Sequence, residues 1–342
     1  MVKKSRTKDK DSVLFWETAG RFLNRELPEI RKKSPNTVSS YRASLNIYID
    51  YLESAKRIER SSICFDDFNK NNLKEYLLWA ESKWTARTCN LRITAIRSML
   101  SFASEESVDI TPVYMACKTV RGPKAAETEI EYFEDYQLSA VLAAPKTEKR
   151  TECRNRMLLI LGYDAALRVG ELVTLKMSDL HLNAEVPYIS IIGKGEKHRN
   201  VPLTPKTVLH LNRYIGVFHA DMDFKKPLFF TTTHGNIHGL SDDTVQKVLK
   251  KYVDQCREKI HMPENVHFHM LRKTRAMNLY QAGCPLSYIQ QMLGHENIST
   301  TSGFYAFATL DTLAKALEKV NPSLSEEKAW KDKTIMKRLY RL

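Results

Sequence analysis

The stretch YISIIGKGEKHRNVPLT, residues 188–204, decides the fold. Two runs rich in β-branched and aromatic residues flank GKGEKHR, where Gly193 and Gly195 permit a sharp turn. The pattern predicts a β-hairpin. Nearly everything on either side is spaced for helices, so the class expected is mainly α with a small antiparallel β-sheet.

Upstream, Ser34 and Pro35 suit the cap and first turn of a helix, because proline lacks an N–H that would be left unbonded there anyway. Val38, Tyr41, Leu45, Tyr48 and Leu52 then repeat at three- and four-residue steps, one apolar stripe. Cys89, Ile93, Ile96, Leu100 and Ala103 form a second. With shorter helices near 12–26 and 70–81, a four-helix unit is expected over 10–107. Residues 108–130 lack periodicity, contain Pro112, Gly122 and Pro123, and are expected to be a linker, its basic Lys118, Arg121 and Lys124 passing along a ligand.

Downstream, a second domain over 131–321 is expected, α+β in character. Helical patterns at 135–143 and 153–166 precede the hairpin. A helix at 205–220, a polar turn region near 231–241 and a helix at 242–260 follow it. HFHMLRKTRAMNLYQAGCP, residues 267–285, is a helix stopped by Gly283 and Pro285, and a short helix starts at Leu286. A tail helix is expected over 322–342, with Ile335, Met336, Leu339 and Leu342 on one face. It either packs on its own domain or docks onto a neighbouring protomer.

Hydrophobic residues make up 43% of the 342 and charged residues 27%, the balance of a folded soluble chain. No apolar run reaches 18 residues and no signal peptide is evident, so the expected location is cytoplasmic, associated with the nucleoid, away from membranes. Six scattered cysteines without a CxxC pair are expected to be reduced thiols; no metal ligand set and no cofactor are expected. The net charge is +13, and residues 1–120 hold 21 Lys or Arg against 15 Asp or Glu, so both halves share the excess. That distribution fits a polyanion contacting both domains, double-stranded DNA above all.

Chemistry enters with LGHENISTTSGFYAF, residues 293–307. A free tyrosine has a pKa near 10, so presenting the phenolate of Tyr305 at neutral pH costs roughly 4 kcal/mol. A nucleophilic tyrosine thus needs a base and cationic neighbours, and attack on a phosphodiester needs guanidinium forks for the non-bridging oxygens. Arg168 lies in ALRVGEL, with Glu171 placed to hold it. Arg272 lies in HMLRKT, with His269 three residues earlier on one helical face. Lys194 sits at the hairpin tip. Taken singly, a structural salt bridge, a capped helix and an exposed turn lysine account for these equally well.

Together, ALRVGEL, IIGKGEKHRNVPL, HMLRKT and LGHENISTT…Y resemble the tyrosine recombinase, or phage integrase, family, in the family's order over about 150–321. The helical N-terminal unit resembles the family's core-binding domain more loosely. The resemblance implies that Arg168 and Arg272 grip the scissile phosphate and that Lys194 protonates the departing 5′ oxygen. It further implies that His269 gives general acid/base support, that His295 bonds the phosphate, and that Tyr305 forms a 3′-phosphotyrosyl link without metal or ATP. Two positions depart from the family pattern. Lys273 stands where a histidine is common, and Tyr305 falls ten residues after His295, where nine is usual; slack at Ser302-Gly303 would accommodate it.

Candidate DNA contacts are Arg42, Lys74, Arg87, Arg92, Arg97, Lys118, Arg121, Lys197 and Arg199, while Arg275 is expected to be structural. His267 and His269 are not expected to form a metal pair, since positions two apart do not face one another on a helix. Only about ten residues precede the first expected helix, which implies a simple two-domain recombinase. It would exchange strands in a homotetramer, with accessory DNA-bending or directionality proteins as further partners. Integration and excision of a mobile element is the role expected first, and resolution of chromosome dimers or non-catalytic DNA binding on the same fold are the alternatives.

Overall fold

The computed structural model describes residues 2–125, 131–146, 149–193, 198–220 and 223–294. Its contacts divide the chain into two units, Met1–Thr128 and Glu129–Leu342.

In the first unit, α1 (Val2–Arg21) begins ten residues before the helix expected near 12 and runs into a π-helical segment, Phe22–Ile30. Pro28 has no N–H to continue an α ladder, and the turns beyond it are wide, with Arg31 N–H bonding Glu26 O five residues back. Helices α2 (Pro35–Lys56), α3 (Lys70–Glu81) and α4 (Ala86–Glu106) follow, each capped by a side chain: Ser34, Asn69 and Thr85. Every residue of the Cys89 stripe is buried. Of the Val38 stripe, Leu45, Tyr48 and Leu52 are buried, and Val38 and Tyr41 pack at the margin. Between α2 and α3, rings of Tyr48, Tyr51, Tyr76 and Phe68 meet at centroid distances of 4.8–6.1 Å.

The expected linker over 108–130 is corrected in its first part. A 3₁₀ turn, Val108–Ile110, leads into α5 (Thr111–Lys118), and Ile110, Cys117 and Val120 are buried in this unit's core. Too short to show periodicity, the segment is held by tertiary contacts. Arg97 Nη2 donates to Val120 O, and Asn90 Nδ2 donates to Pro123 O at 2.9 Å. A Cβ on Gly122 would collide with the Asn90 side-chain amide, so any other residue there would have to displace the amide that bonds Pro123 O.

The second unit surrounds α7 (Arg150–Asp164), whose Met157, Leu158, Leu159 and Leu161 are buried. Around it lie α6 (Asp135–Ala143), α8 (Val169–Thr174), α9 (Pro205–Phe218), α10 (Asp242–Arg257), α11 (His269–Gln281) and α12 (Leu286–Leu293). A three-stranded antiparallel sheet has the order β1 (Leu180–His181), β2 (Tyr188–Ile192), β3 (His198–Pro202). The expected hairpin is its larger part, paired from Tyr188↔Pro202 to Ile192↔His198.

The polar turn region near 231–241 proves to be a second hairpin, β4 (Phe230–Thr233) and β5 (Asn236–Gly239). His234 and Gly235 between them have φ of 48° and 80°, the paired left-handed conformation of a tight two-residue turn. Most of its residues are exposed, so no alternation betrayed it. Gly283, at φ 83°, ends α11 as expected.

Among the described residues no helix is long and apolar enough to cross a membrane. All six cysteines are free thiols. Residues 295–342, with the expected tail helix, lie outside the described residues.

Candidate active site

Arg168 caps the start of α8. Its backbone N–H donates to Glu171 Oε2 and its Nη1 donates to Glu171 Oε1, both at 2.8 Å. Glu171 therefore does hold Arg168, as its spacing suggested. It holds more than that. Arg199, on β3, donates from Nη1 and Nη2 to the two oxygens of the same carboxylate at 2.8 Å each, and Arg272 Nη1 approaches Oε2 at 3.9 Å. Three guanidinium groups from separate stretches of chain thus meet on one carboxylate whose side chain is 7% exposed. Burial by itself would raise the pKa of Glu171. The bonds and charge of Arg199 and Arg168 outweigh it and hold the carboxyl at about 2.

Arg272, expected to grip phosphate, is only 2% exposed. Its Nη1 donates to Ala166 O at 2.7 Å, and its Nη2 donates to Leu293 O. Burial, then the positive charge of Arg168, lowers its pKa to about 9, which leaves it protonated at neutral pH. Ala166 has φ of 50°, a conformation that usually falls to glycine at the end of a helix. There the residue ends α7's final turn and its carbonyl meets Arg272.

The three arginines share a second target. Arg199 Nε donates to Met292 O at 3.0 Å, Arg272 Nη2 to Leu293 O, and Arg168 Nη2 to Gly294 O at 3.2 Å. These consecutive carbonyls end α12, where a helix leaves its last acceptors unbonded and its dipole is negative. Gly294, at φ 62°, leads directly into His295.

His269 is the first residue of α11. Gln246 on α10 fixes that entry, accepting from Phe268 N–H at 2.7 Å and donating to Val266 O at 2.9 Å. Loss of hydration among its neighbours, then the charges of Arg272 and Lys273, push the His269 pKa down to about 4. The residue also has an exposed side, and the cations around it act in the same direction as the loss of hydration. The imidazole is neutral at pH 7 and able to accept a proton. The His267 ring lies nearly parallel to that of His269, at 6.4 Å between centroids. Arg275, as expected, is structural: Nη2 pairs with Asp164 at 3.0 Å, and its guanidinium lies 5.3 Å from the centre of the Tyr163 ring.

Of the catalytic candidates, the fold brings Arg168, Arg272 and His269 to one place. Lys194, His295 and Tyr305 lie outside the described residues, as does Lys197. Among the candidate DNA contacts, Arg42, Lys74, Arg87, Lys118 and Arg121 are exposed. Arg92 and Arg97 are not open surface cations: Arg92 is half-buried 3.4 Å from the centre of the Trp84 ring, and Arg97 bonds Val120 O.

The expectation for Arg199 is corrected. Its three nitrogens are taken up by Glu171 and Met292, and its side chain is 10% exposed. The sequence held a signal for this, because Arg199 stands two residues before Val201 and so on the buried face of β3. A cation on an inward face needs a buried partner.

Residues 131–309 match the model of the phage integrase family, and residues 21–107 match that of the phage integrase N-terminal SAM-like domain. The chain belongs to the phage integrase family. Members are tyrosine recombinases, and this recombinase is accordingly a DNA breaking-and-rejoining enzyme. It is 30% identical to tyrosine recombinase XerD of Staphylococcus epidermidis over 299 residues, covering 84% of this chain and 93% of that protein. To tyrosine recombinase XerC of Chlamydia caviae it is 28% identical over 312 residues, 86% and 96% of the two chains. Its fold resembles that of the XerH site-specific recombinase bound to palindromic difH substrate, with a TM-score of 0.68 and 20% identity over 89% of this chain and 84% of that one. The Tn1549 transposon integrase, in complex with transposon right end DNA, has a TM-score of 0.64 and 17% identity over 90% and 99%.

Proposed function

We propose that this tyrosine recombinase acts on specific sites in double-stranded DNA through a 3′-phosphotyrosyl intermediate, and that it integrates and excises a mobile element. The observation that carries the reading is the meeting of Arg168 and Arg272 on one buried carboxylate beside a neutral His269. Two guanidiniums held together suit the two non-bridging oxygens of a phosphodiester, whose negative charge grows as the fifth bond to phosphorus forms.

In this reading the Tyr305 oxygen bonds to phosphorus as the bond from phosphorus to the 5′ oxygen breaks. The phenolic proton passes to His269, Lys194 supplies a proton to the departing oxygen, and His295 bonds the phosphate. Religation by a partner strand's 5′ hydroxyl reverses these steps, so the phosphodiester energy is conserved and ATP has no part. Strand exchange in a homotetramer is part of the proposal, as are accessory DNA-bending or directionality proteins. The basic residues of both units support duplex DNA as the partner.

A second role with the same chemistry is the resolution of chromosome dimers, and the relatives that the chain matches include tyrosine recombinases XerC and XerD. Short direct repeats bounding an element around the gene would select the first role, and their absence the second.

The chemistry is tested with Tyr305→Phe on a nicked suicide duplex. The variant binds DNA with wild-type affinity and traps no covalent adduct; an adduct that persists removes Tyr305 from the role.

A further inference from the structure

Arg199 has no part in the mechanism above, yet it is the most fully bonded of the three arginines. Its fork takes both oxygens of Glu171, and its Nε takes Met292 O, the first of the three carbonyls that end α12. The other two carbonyls, Leu293 O and Gly294 O, accept from Arg272 Nη2 and Arg168 Nη2. Gly294 packs against it so closely that a Cβ would lie 3.1 Å from both Cδ and Nη1 of Arg199. The guanidinium is thus walled in by Glu171, the end of α12 and Gly294.

We infer that Arg199 is a positioning residue for cleavage: by clasping Glu171 and the end of α12 at once, it sets the frame on which Arg168 and Arg272 are aimed. The inference rests on the proposal that those two arginines bind the scissile phosphate.

The physical argument runs through Glu171. Arg168 and Arg272 both lean on this carboxylate, so its position decides theirs. With two guanidinium nitrogens bound in parallel, Arg199 fixes the carboxylate in rotation as well as in place, which a single ammonium group cannot do. Nε extends the same rigid plane to α12. Without the clasp, Glu171 is free to follow Arg168, and the last turn of α12 loses the link to β3. Arg199 spends three of its five N–H donors on Glu171 and Met292 O, Nε among them, and its side chain is 10% exposed, so the bonds it makes inside the fold are what its test addresses.

The test compares single-turnover cleavage of two nicked suicide duplexes by the full chain, normalised to the bound fraction. One duplex carries the ordinary scissile phosphodiester. The other carries a methylphosphonate there, in which an uncharged methyl replaces a non-bridging oxygen and removes the charge the arginines neutralise. Arg168→Ala is the reference variant, and its deficit is expected to shrink on the methylphosphonate. Arg199→Met is expected to cleave the phosphodiester on the order of 100-fold slower, the cost of a phosphate ligand misplaced by about an ångström. Its deficit on the methylphosphonate shrinks by at least about tenfold, as that of Arg168→Ala does. Arg199→Lys keeps the charge but not the fork, shows the same relief from a smaller deficit, and serves if the methionine variant does not fold.

Equal deficits of the Arg199 variants on both substrates, with relief still seen for Arg168→Ala, would overturn the inference and leave Arg199 a stabiliser of the fold. Wild-type rates in the Arg199 variants would overturn it as well. Absence of relief in Arg168→Ala would instead overturn the phosphate-ligand proposal, and the inference with it.

Discussion

Arg272 is 2% exposed, and a guanidinium so placed persists only because carbonyls and a carboxylate replace its water: Ala166 O, Leu293 O and the nearby Glu171. The same cluster divides its two titrating members. His269 is held at about 4 against its ordinary 6.5, and Glu171 at about 2 against 4.5. Each folded value lies below its unfolded one, so as pH falls the unfolded chain takes up each proton first. Stability therefore declines on account of His269 between pH 6.5 and about 4, and on account of Glu171 between 4.5 and about 2. His269→Gln should flatten the upper window and leave the lower one unchanged. Thermal denaturation from pH 3 to 7 checks this, and an unaltered slope above pH 4.5 would mean that the imidazole titrates normally. At this scale residue types were legible in the sequence but partners were not. The spacing of Arg168 and Glu171 gave one pair, whereas Arg199 and Arg272 reach the same carboxylate only through the fold.

Helices with strong apolar stripes stand where the spacing put them, because a stripe that repeats every three or four residues is buried in only one way. Elements without a stripe carry no such signal: α5 falls inside the expected linker, and the β4–β5 hairpin inside the expected polar turn. Both are short, and α5 owes its form to contacts distant in sequence. The same dependence makes a prediction at the junction of α7 and α11. Gly162 lies on α7 where a Cβ would run into the ring of Phe268, the residue immediately before His269. Gly162→Ala should destabilise the second unit by about 1–3 kcal/mol through overpacking, despite alanine's better helix propensity. It should also slow cleavage by displacing the first turn of α11. Urea unfolding of the variant decides the matter, and a gain in stability would show that Phe268 has room to move.

Over the whole molecule, the charge of +13 is shared between two units, and the first has Arg42, Lys74 and Arg87 exposed. Each cation that meets a phosphate releases a counterion on binding, which sets the dependence of affinity on salt. The triple variant Arg42→Gln, Lys74→Gln, Arg87→Gln should reduce the log–log slope of DNA affinity against salt by about 2.7, at about 0.9 per contact. Fluorescence anisotropy from about 50 to about 200 mM salt measures it; an unchanged slope would place DNA on another face of the unit.

The order of the motifs, the helical stripes, the hairpin and the basic balance were determined by sequence alone, because each depends on residue type and on spacing along the chain. What only the tertiary structure decided was company: that Arg199 is inside, that Arg272 is buried, and that three arginines divide one carboxylate and three carbonyls among them. The reason is physical. A charge is tolerable in the interior only where its compensating groups converge, and convergence of groups far apart along the chain exists only once the chain has folded.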